Sequence, residues 1–220
     1  MKKVPVYVFF VVLICALVGG TYLLIQDTQG PDITLSPDTA RTSGKQQLTI
    51  TATDKDSNVK AISVSIRRDN SSRNLFTKTF DNKSNTQSIT FTLADAQLTD
   101  GAFELEVKGT DNSFAGFGRG NSATRNFAMI YDTAPPRITI TTMPPYIKRG
   151  GSAVIAFTSN KELRKAGVKV NNYYFPAYKQ PDDRYICFFA FPYSLTIQDY
   201  SPQLLAEDMA SNVALVRPAF

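Results

Sequence analysis

The chain has 220 residues, with 24 Lys and Arg against 19 Asp and Glu, a net charge of +5 at pH 7 and no histidine. The missing histidine excludes a Ser-His-Asp or Cys-His nucleophile system and the usual His-containing zinc sites within this chain. Basic residues are scattered and the net charge is mild, which excludes a nucleic-acid footprint and leaves only weak attraction to an anionic wall or membrane surface.

The first predicted element is the uncharged run from Val4 to Ile25, preceded by Lys2 and Lys3. A bilayer core is crossed by about 20 mostly apolar residues in a helix. The run therefore predicts a transmembrane anchor over residues 1–25, with Val4, Phe9, Leu13 and Leu24 as anchor residues. The basic pair places the amino terminus in the cytoplasm. The expected location is a bacterial inner membrane, crossed once, with the remainder periplasmic or otherwise extracytoplasmic. The alternative is a cleaved signal peptide ending near Val18-Gly19-Gly20, against which stands the resumption of apolar residues at Tyr22 to Ile25. Cys15 lies inside this run and Cys187 inside the distant apolar run ICFFAF. No disulfide joins them, so hydrophobic cores must hold the fold.

Residues 26–31, QDTQGP, read as a polar linker. Beyond it comes a series of short alternating runs: Ile33 to Leu35; Leu48, Ile50 and Ala52; Ile62, Val64 and Ile66; Phe76, Lys78 and Phe80; Ile89, Phe91 and Leu93; Phe103, Leu105 and Val107; Phe127 and Met129. A period of two, broken by Asn, Asp, Ser and Gly clusters, predicts half-buried strands of an antiparallel sandwich. LADAQL, Leu93 to Leu98, allows at most one helical turn at a corner.

Asp132-Thr133-Ala134-Pro135-Pro136 interrupts the pattern, because paired prolines cannot join a sheet ladder. The first unit then repeats. Pro31-Asp32-Ile33-Thr34-Leu35 is echoed by Pro136-Arg137-Ile138-Thr139-Ile140, and Lys60-Ala61 by Lys165-Ala166. The end of the first unit, through Asp111 and Asn112, is echoed by the stretch through Asp208 and Asn212. Strands are expected at residues 137–141, 153–158, 166–170, 173–177, 185–191, 203–206 and 213–216. The fold class read from this is all-β, two tandem immunoglobulin-like β-sandwiches at residues 32–131 and 132–220 after an N-terminal transmembrane helix. The strand pattern runs to Phe220 without a polar tail, as expected of a chain that continues into a further domain.

Few residues assemble into chemistry. Asp54, Asp56 and Asn58 alternate oxygens as a calcium loop does, but Gly at the sixth position and Glu at the twelfth are missing. They are the weak calcium candidate, set against a capped turn, and no metal site, catalytic residue or cofactor is assigned. Ser57-Asn58-Val59-Lys60 lacks the partner motifs of Ser-x-x-Lys enzymes. Gly116, Gly118 and Gly120 lack the helix and Gly-Lys-Ser/Thr ending of a phosphate loop, which leaves a hairpin tip. Arg149, Lys161, Arg164 and Lys165 read as solvated loop charge. Aromatics concentrate between Tyr173 and Tyr193; half fill a core by alternation, and Tyr173, Tyr174, Tyr178 and Tyr193 form the candidate interaction face, toward another domain or toward sugar rings.

The stretches DTAPPRITI, RGGSAVIAFTSNKELRKAGVKV, CFFAFPYSL and LLAEDMASN resemble the non-catalytic, membrane-anchored N-terminal region of bacterial lysostaphin-type zinc metallopeptidases. The resemblance covers residues 132–220. It implies a spacer or regulatory region that positions a downstream peptidoglycan-cutting domain, whose zinc ligands have no counterpart here. The chain itself is then no enzyme. Its implied partners are the membrane, a C-terminal peptidase domain or peptidoglycan, and no nucleic acid. The alternative functions are a stand-alone envelope adhesion or cell-wall-binding protein, or a subunit of an envelope complex.

Overall fold

A computed structural model describes residues 4–25, 27–69 and 71–218. Helix α1 (Val4–Ile25) forms where the apolar run stands, and Thr21 returns its hydroxyl to the carbonyls of Leu17 and Val18. Among the described residues no helix is long and apolar enough to cross a membrane. The expected transmembrane anchor and its single-pass placement in an inner membrane are corrected on that ground. Phe9 and Leu13 are exposed on α1, while the side chains of Val4 and Leu24 lie outside the described residues.

The rest of the chain is mostly β. Strands β1 (Asp32–Ser36), β2 (Arg41–Thr42), β3 (Leu48–Thr53), β4 (Val59–Arg68), β5 (Ser71–Thr79), β6 (Thr86–Phe91), β7 (Gly101–Asp111) and β8 (Ser122–Tyr131) form two sheets, ordered β1-β3-β6 and β2-β8-β7-β4-β5. Alternation sets which side chains are buried. Leu48, Ile50 and Ala52 of β3, Ile62, Val64 and Ile66 of β4, and Leu105 and Val107 of β7 are buried, with the intervening residues more exposed. On the outer side of β3 and β6, Thr49 meets Thr90, Thr51 meets Ser88 and Thr53 meets Thr86 at 2.9–3.3 Å, a ladder of hydroxyl pairs. β5 departs from the expected alternation. It is the edge of its sheet and is half-buried only at Leu75 and Phe76. The corner after β6 is one 3-10 turn, Ala94–Ala96.

Strands β9 (Ile138–Thr142), β10 (Ser152–Ser159), β11 (Leu163–Val170), β12 (Tyr173–Lys179), β13 (Tyr185–Ala190), β14 (Pro202–Asp208) and β15 (Val213–Val216) form one seven-stranded sheet ordered β15-β14-β11-β12-β13-β10-β9. β12 is its hinge line: residues 173–176 pair with β11, whereas Ala177, Tyr178 and Lys179 pair with β13. A strand that changes partner midway lets the sheet turn over its own core. That core is Ile155, Phe157, Val168, Val170, Cys187, Phe189 and Leu204, with Phe157 stacked on Tyr185 at 5.4 Å.

The chain divides into two compact units. The first comprises Met1–Pro37, Thr49–Thr90 and Glu104–Phe127; the second comprises Asp38–Leu48, Phe91–Phe103 and Ala128–Phe220.

Candidate metal centre

Three carboxylates of the first unit converge: Asp27, five residues before β1 begins, Asp54, just after β3, and Asp111, the last residue of β7. One oxygen from each lies within 4.8 Å of the others. Asp54 is 5% exposed and Asp111 fully buried.

Each carboxylate is aimed by its own backbone. Asp27 Oδ1 accepts from the Gln29 N–H at 3.0 Å. Asp54 Oδ1 accepts from the N–H groups of Asp56 and Ser57 at 3.0 and 2.8 Å. Asp111 Oδ1 accepts from Ser113 N–H, the Ser113 hydroxyl and Asn121 N–H at 3.0, 2.8 and 2.7 Å. With Oδ1 pinned in every case, Oδ2 of all three is buried without a hydrogen-bond partner. The Ser57 hydroxyl is likewise buried and unpartnered. Asn121 ties the group together, its Nδ2 donating to the carbonyls of Asp27 and Gln29 and to Ser113 Oγ.

Such an arrangement needs a compensating charge. Two like unit charges 4.8 Å apart repel by about 3.5 kcal/mol at an effective dielectric constant of 20. A buried acceptor without a donor costs a further 1–3 kcal/mol or so. The donor set is entirely hard oxygen. It suits calcium, which tolerates irregular geometry and six to eight oxygen ligands, better than magnesium, which demands near-octahedral geometry and keeps its water.

The sequence-derived residues separate. Asp54 belongs to the cluster. Asp56 is exposed and contributes its N–H to Asp54, and Asn58 offers its carbonyl to Asn112 N–H at 2.8 Å. By sequence Asp27 falls in a linker and Asp111 in a repeat signature, and neither pattern marks a ligand. The signal that relates Asp27 to a structured position is Asp-Thr-x-x-Pro, which recurs at Asp132.

The four candidate tyrosines do not share one face. Tyr174 and Tyr178 lie on one side of β12, and Tyr174 is engaged, donating to the Ala166 carbonyl at 2.8 Å with Lys165 over its ring. Burial raises the Tyr174 pKa, assisted by the nearby Cys187 and Glu207. Tyr173 bonds Ser194 at 3.1 Å, beside Tyr193, whose ring lies under the Arg149 guanidinium at 4.7 Å. Of the four, Tyr178 shares an exposed apolar strip with residues of β10 and β13. Val154 pairs with Phe188 across β10 and β13, and Tyr178 pairs with Ile186 across β12 and β13. Phe188 is 67% and Tyr178 63% exposed.

No protein-family model matches the chain, and no curated protein matches it. Solved structures give distant likenesses. A 1.5-MDa bacterial ice-binding adhesin, described for its retention on a host cell surface, is 14% identical with a TM-score of 0.36, over 87% of this chain and 63% of that one. A Ca2+-stabilized adhesin with which an Antarctic bacterium binds ice is 13% identical with a TM-score of 0.32, over 87% and 48%. Murine CEACAM1b is 11% identical with a TM-score of 0.30, over 84% and 96%. This chain thus spans less than two thirds of either adhesin chain, and no residue role is carried over from any of the three.

Proposed function

We propose that the chain is a non-catalytic binding module of the envelope-adhesion or cell-wall-binding kind, built as tandem immunoglobulin-like sandwiches and stabilised in its first unit by a divalent cation, preferentially calcium. The cation part of this reading rests on the convergence of Asp27, Asp54 and Asp111 with three buried, unpartnered oxygens, and the binding part on exposed Val154, Phe188 and Tyr178. The cation would draw the segment after α1, the end of β3 and the end of β7 to one point. It would hold charge in place, with each Oδ1 already engaged by nearby N–H groups and each Oδ2 left as a ligand.

The contact face of the module is the strip of Val154, Phe188 and Tyr178. Flat aromatic surface of this kind suits sugar rings of wall or surface polysaccharide. The peptidase-spacer role that the family resemblance implies draws on no residue of this site, so the binding-module reading is preferred.

The test is a pair of thermal melts, one after chelation and one with calcium restored. Calcium at about 100 times its dissociation constant stabilises by about 2.7 kcal/mol, which for a domain of this size corresponds to a rise of roughly 10 °C. Identical melts would sink the cation reading. Sedimentation with purified wall polysaccharide tests the contact face: Phe188→Ser should leave the melt unchanged and abolish co-sedimentation. Retained co-sedimentation would assign binding elsewhere.

A further inference from the structure

The second unit carries the same carboxylate frame with a different occupant. Asp208 N–H donates to the Asn212 carbonyl at 3.0 Å, as Asp111 N–H donates to the Asn121 carbonyl at 3.0 Å. Asn212 Nδ2 donates to the Asp132 carbonyl at 2.8 Å, as Asn121 Nδ2 donates to that of Asp27 at 2.9 Å. Asp208 Oδ1 accepts from Ala210 and Asn212 N–H, both at 2.9 Å, the counterparts of Ser113 and Asn121. Ala134 N–H donates to Asp132 Oδ1 as Gln29 N–H does to Asp27. Asp132 and Asp208 therefore stand where Asp27 and Asp111 stand.

The third position differs. After β3 the chain supplies Asp54; at the last residue of β10 it supplies Ser159, whose hydroxyl accepts from Lys161 N–H at 3.2 Å, and the Lys161 side chain turns inward. Its Nζ donates to Asp132 Oδ1 and Oδ2 at 2.7 Å each, to Asp208 Oδ2 at 3.2 Å and to the Ala134 carbonyl. Four oxygens surround one ammonium that has three protons to give, so coordination by charge matters as much as directed bonding. Arg41, 3.8 Å from Asp132, adds a second positive charge at the rim. Three carboxylates in the first unit call for an external ion; two carboxylates, a lysine and an arginine in the second are already neutral.

We infer that Asp132, Asp208 and the Ala134 carbonyl are a cation site whose occupant is the Lys161 ammonium, and that removing this side chain opens a divalent-cation site in the second unit. The inference shares the cation chemistry of the proposed function, but its test reads different residues.

The experiment uses the full chain carrying Asp54→Asn and Asp111→Asn, which removes the first unit's ligands, and compares it with the same chain carrying Lys161→Ser in addition. The melt of the background should be indifferent to calcium. With Lys161→Ser it should fall in chelator and rise by several degrees when calcium is restored, and Asp208→Asn should erase that rise. If the Lys161→Ser chain does not fold in chelator, refolding in calcium should recover it, with tyrosine-sensitised terbium luminescence reporting ion uptake. A Lys161→Ser chain that neither gains a calcium response nor takes up terbium overturns the inference. A wild-type chain indifferent to calcium would instead overturn the reading of the first unit and leave this comparison intact.

Discussion

A Cβ placed on Gly120 would lie 2.7 Å from Oδ1 of Asp111, and closer still to the Asp111 carbonyl oxygen. Gly120 also has φ +80, a conformation that side chains resist. It is the glycine that brings the Asn121 N–H onto the carboxylate. Gly120→Ala should cost about 1–3 kcal/mol through strain alone and misplace the Asp111 ligand. The expected outcome is a lower melting temperature together with a reduced calcium-induced rise. A lower melt with the full rise retained would show that Gly120 serves packing only.

Cys187 is fully buried, with Sγ 3.2 Å from the Phe175 carbonyl. Burial pushes its thiol pKa up, with a backbone hydrogen bond opposing in part. A thiol held neutral and inaccessible is a poor nucleophile. Under native conditions at pH 8 a thiol reagent should therefore label exposed Cys15 and spare Cys187, and both should react in denaturant. Rapid native labelling of Cys187 would contradict the packing of β10, β12 and β13.

Tyr200 stacks on Phe191 at 3.9 Å, and its hydroxyl is buried without a partner. Burial pushes its pKa from 10.0 up to about 12. The unfolded chain then ionises first. Stability from this group is complete below about pH 10 and is lost as pH rises through about 12. Tyr200→Phe should remove that alkaline loss and, by deleting an unsatisfied buried hydroxyl, raise stability at pH 7 by about 1 kcal/mol. Urea melts at pH 7 and pH 11 check both parts.

Lys161 titrates in the same sense for another reason. Burial lowers its pKa, but hydrogen bonds and charge from Asp132 and Asp208 outweigh it and hold it above the ordinary 10.5. The unfolded lysine loses its proton first, so its stabilising contribution is whole below pH 10.5 and declines as pH rises through the folded value. The difference in melting temperature between wild type and Lys161→Met should be constant from pH 7 to 9 and shrink above 10.5. A constant difference at high pH would mean that Lys161 contributes through packing of its stem.

How much of this was legible depends on sequence separation. The strands were readable because alternation is local: Leu48, Ile50 and Ala52 declare their face within one segment. For β5 the alternation of Phe76, Lys78 and Phe80 marks the strand, but its place at the sheet edge leaves only Leu75 and Phe76 half-buried within it. The carboxylate cluster draws on Asp27, Asp54 and Asp111, which only the closed fold brings together. Local spacing pointed instead to Asp56 and Asn58, whose proximity to Asp54 along the chain reflects a capped turn. The two Asp-Thr-x-x-Pro segments marked equivalent positions, but that one frame is completed by Asp54 and the other by Lys161 follows from where the Lys161 side chain turns. Charge alone placed Lys161 among solvated loop residues.

Asp54→Asn isolates the electrostatic part of the site. The amide oxygen can still accept from Asp56 and Ser57 N–H, so the turn after β3 is preserved. Its Nδ2 then stands where Oδ2 stood, facing the unpartnered oxygens of Asp27 and Asp111. One negative charge is lost and two donors are gained. In chelator the variant should melt above wild type, because a repulsion of about 3.5 kcal/mol per pair at an effective dielectric constant of 20 gives way to hydrogen bonds. With calcium the order should reverse, since wild type binds the ion more strongly. Thermal melts of the two proteins in both conditions measure this crossing. A variant below wild type in chelator as well as in calcium would show that Asp54 is held by its turn alone and that the three carboxylates do not press on one another.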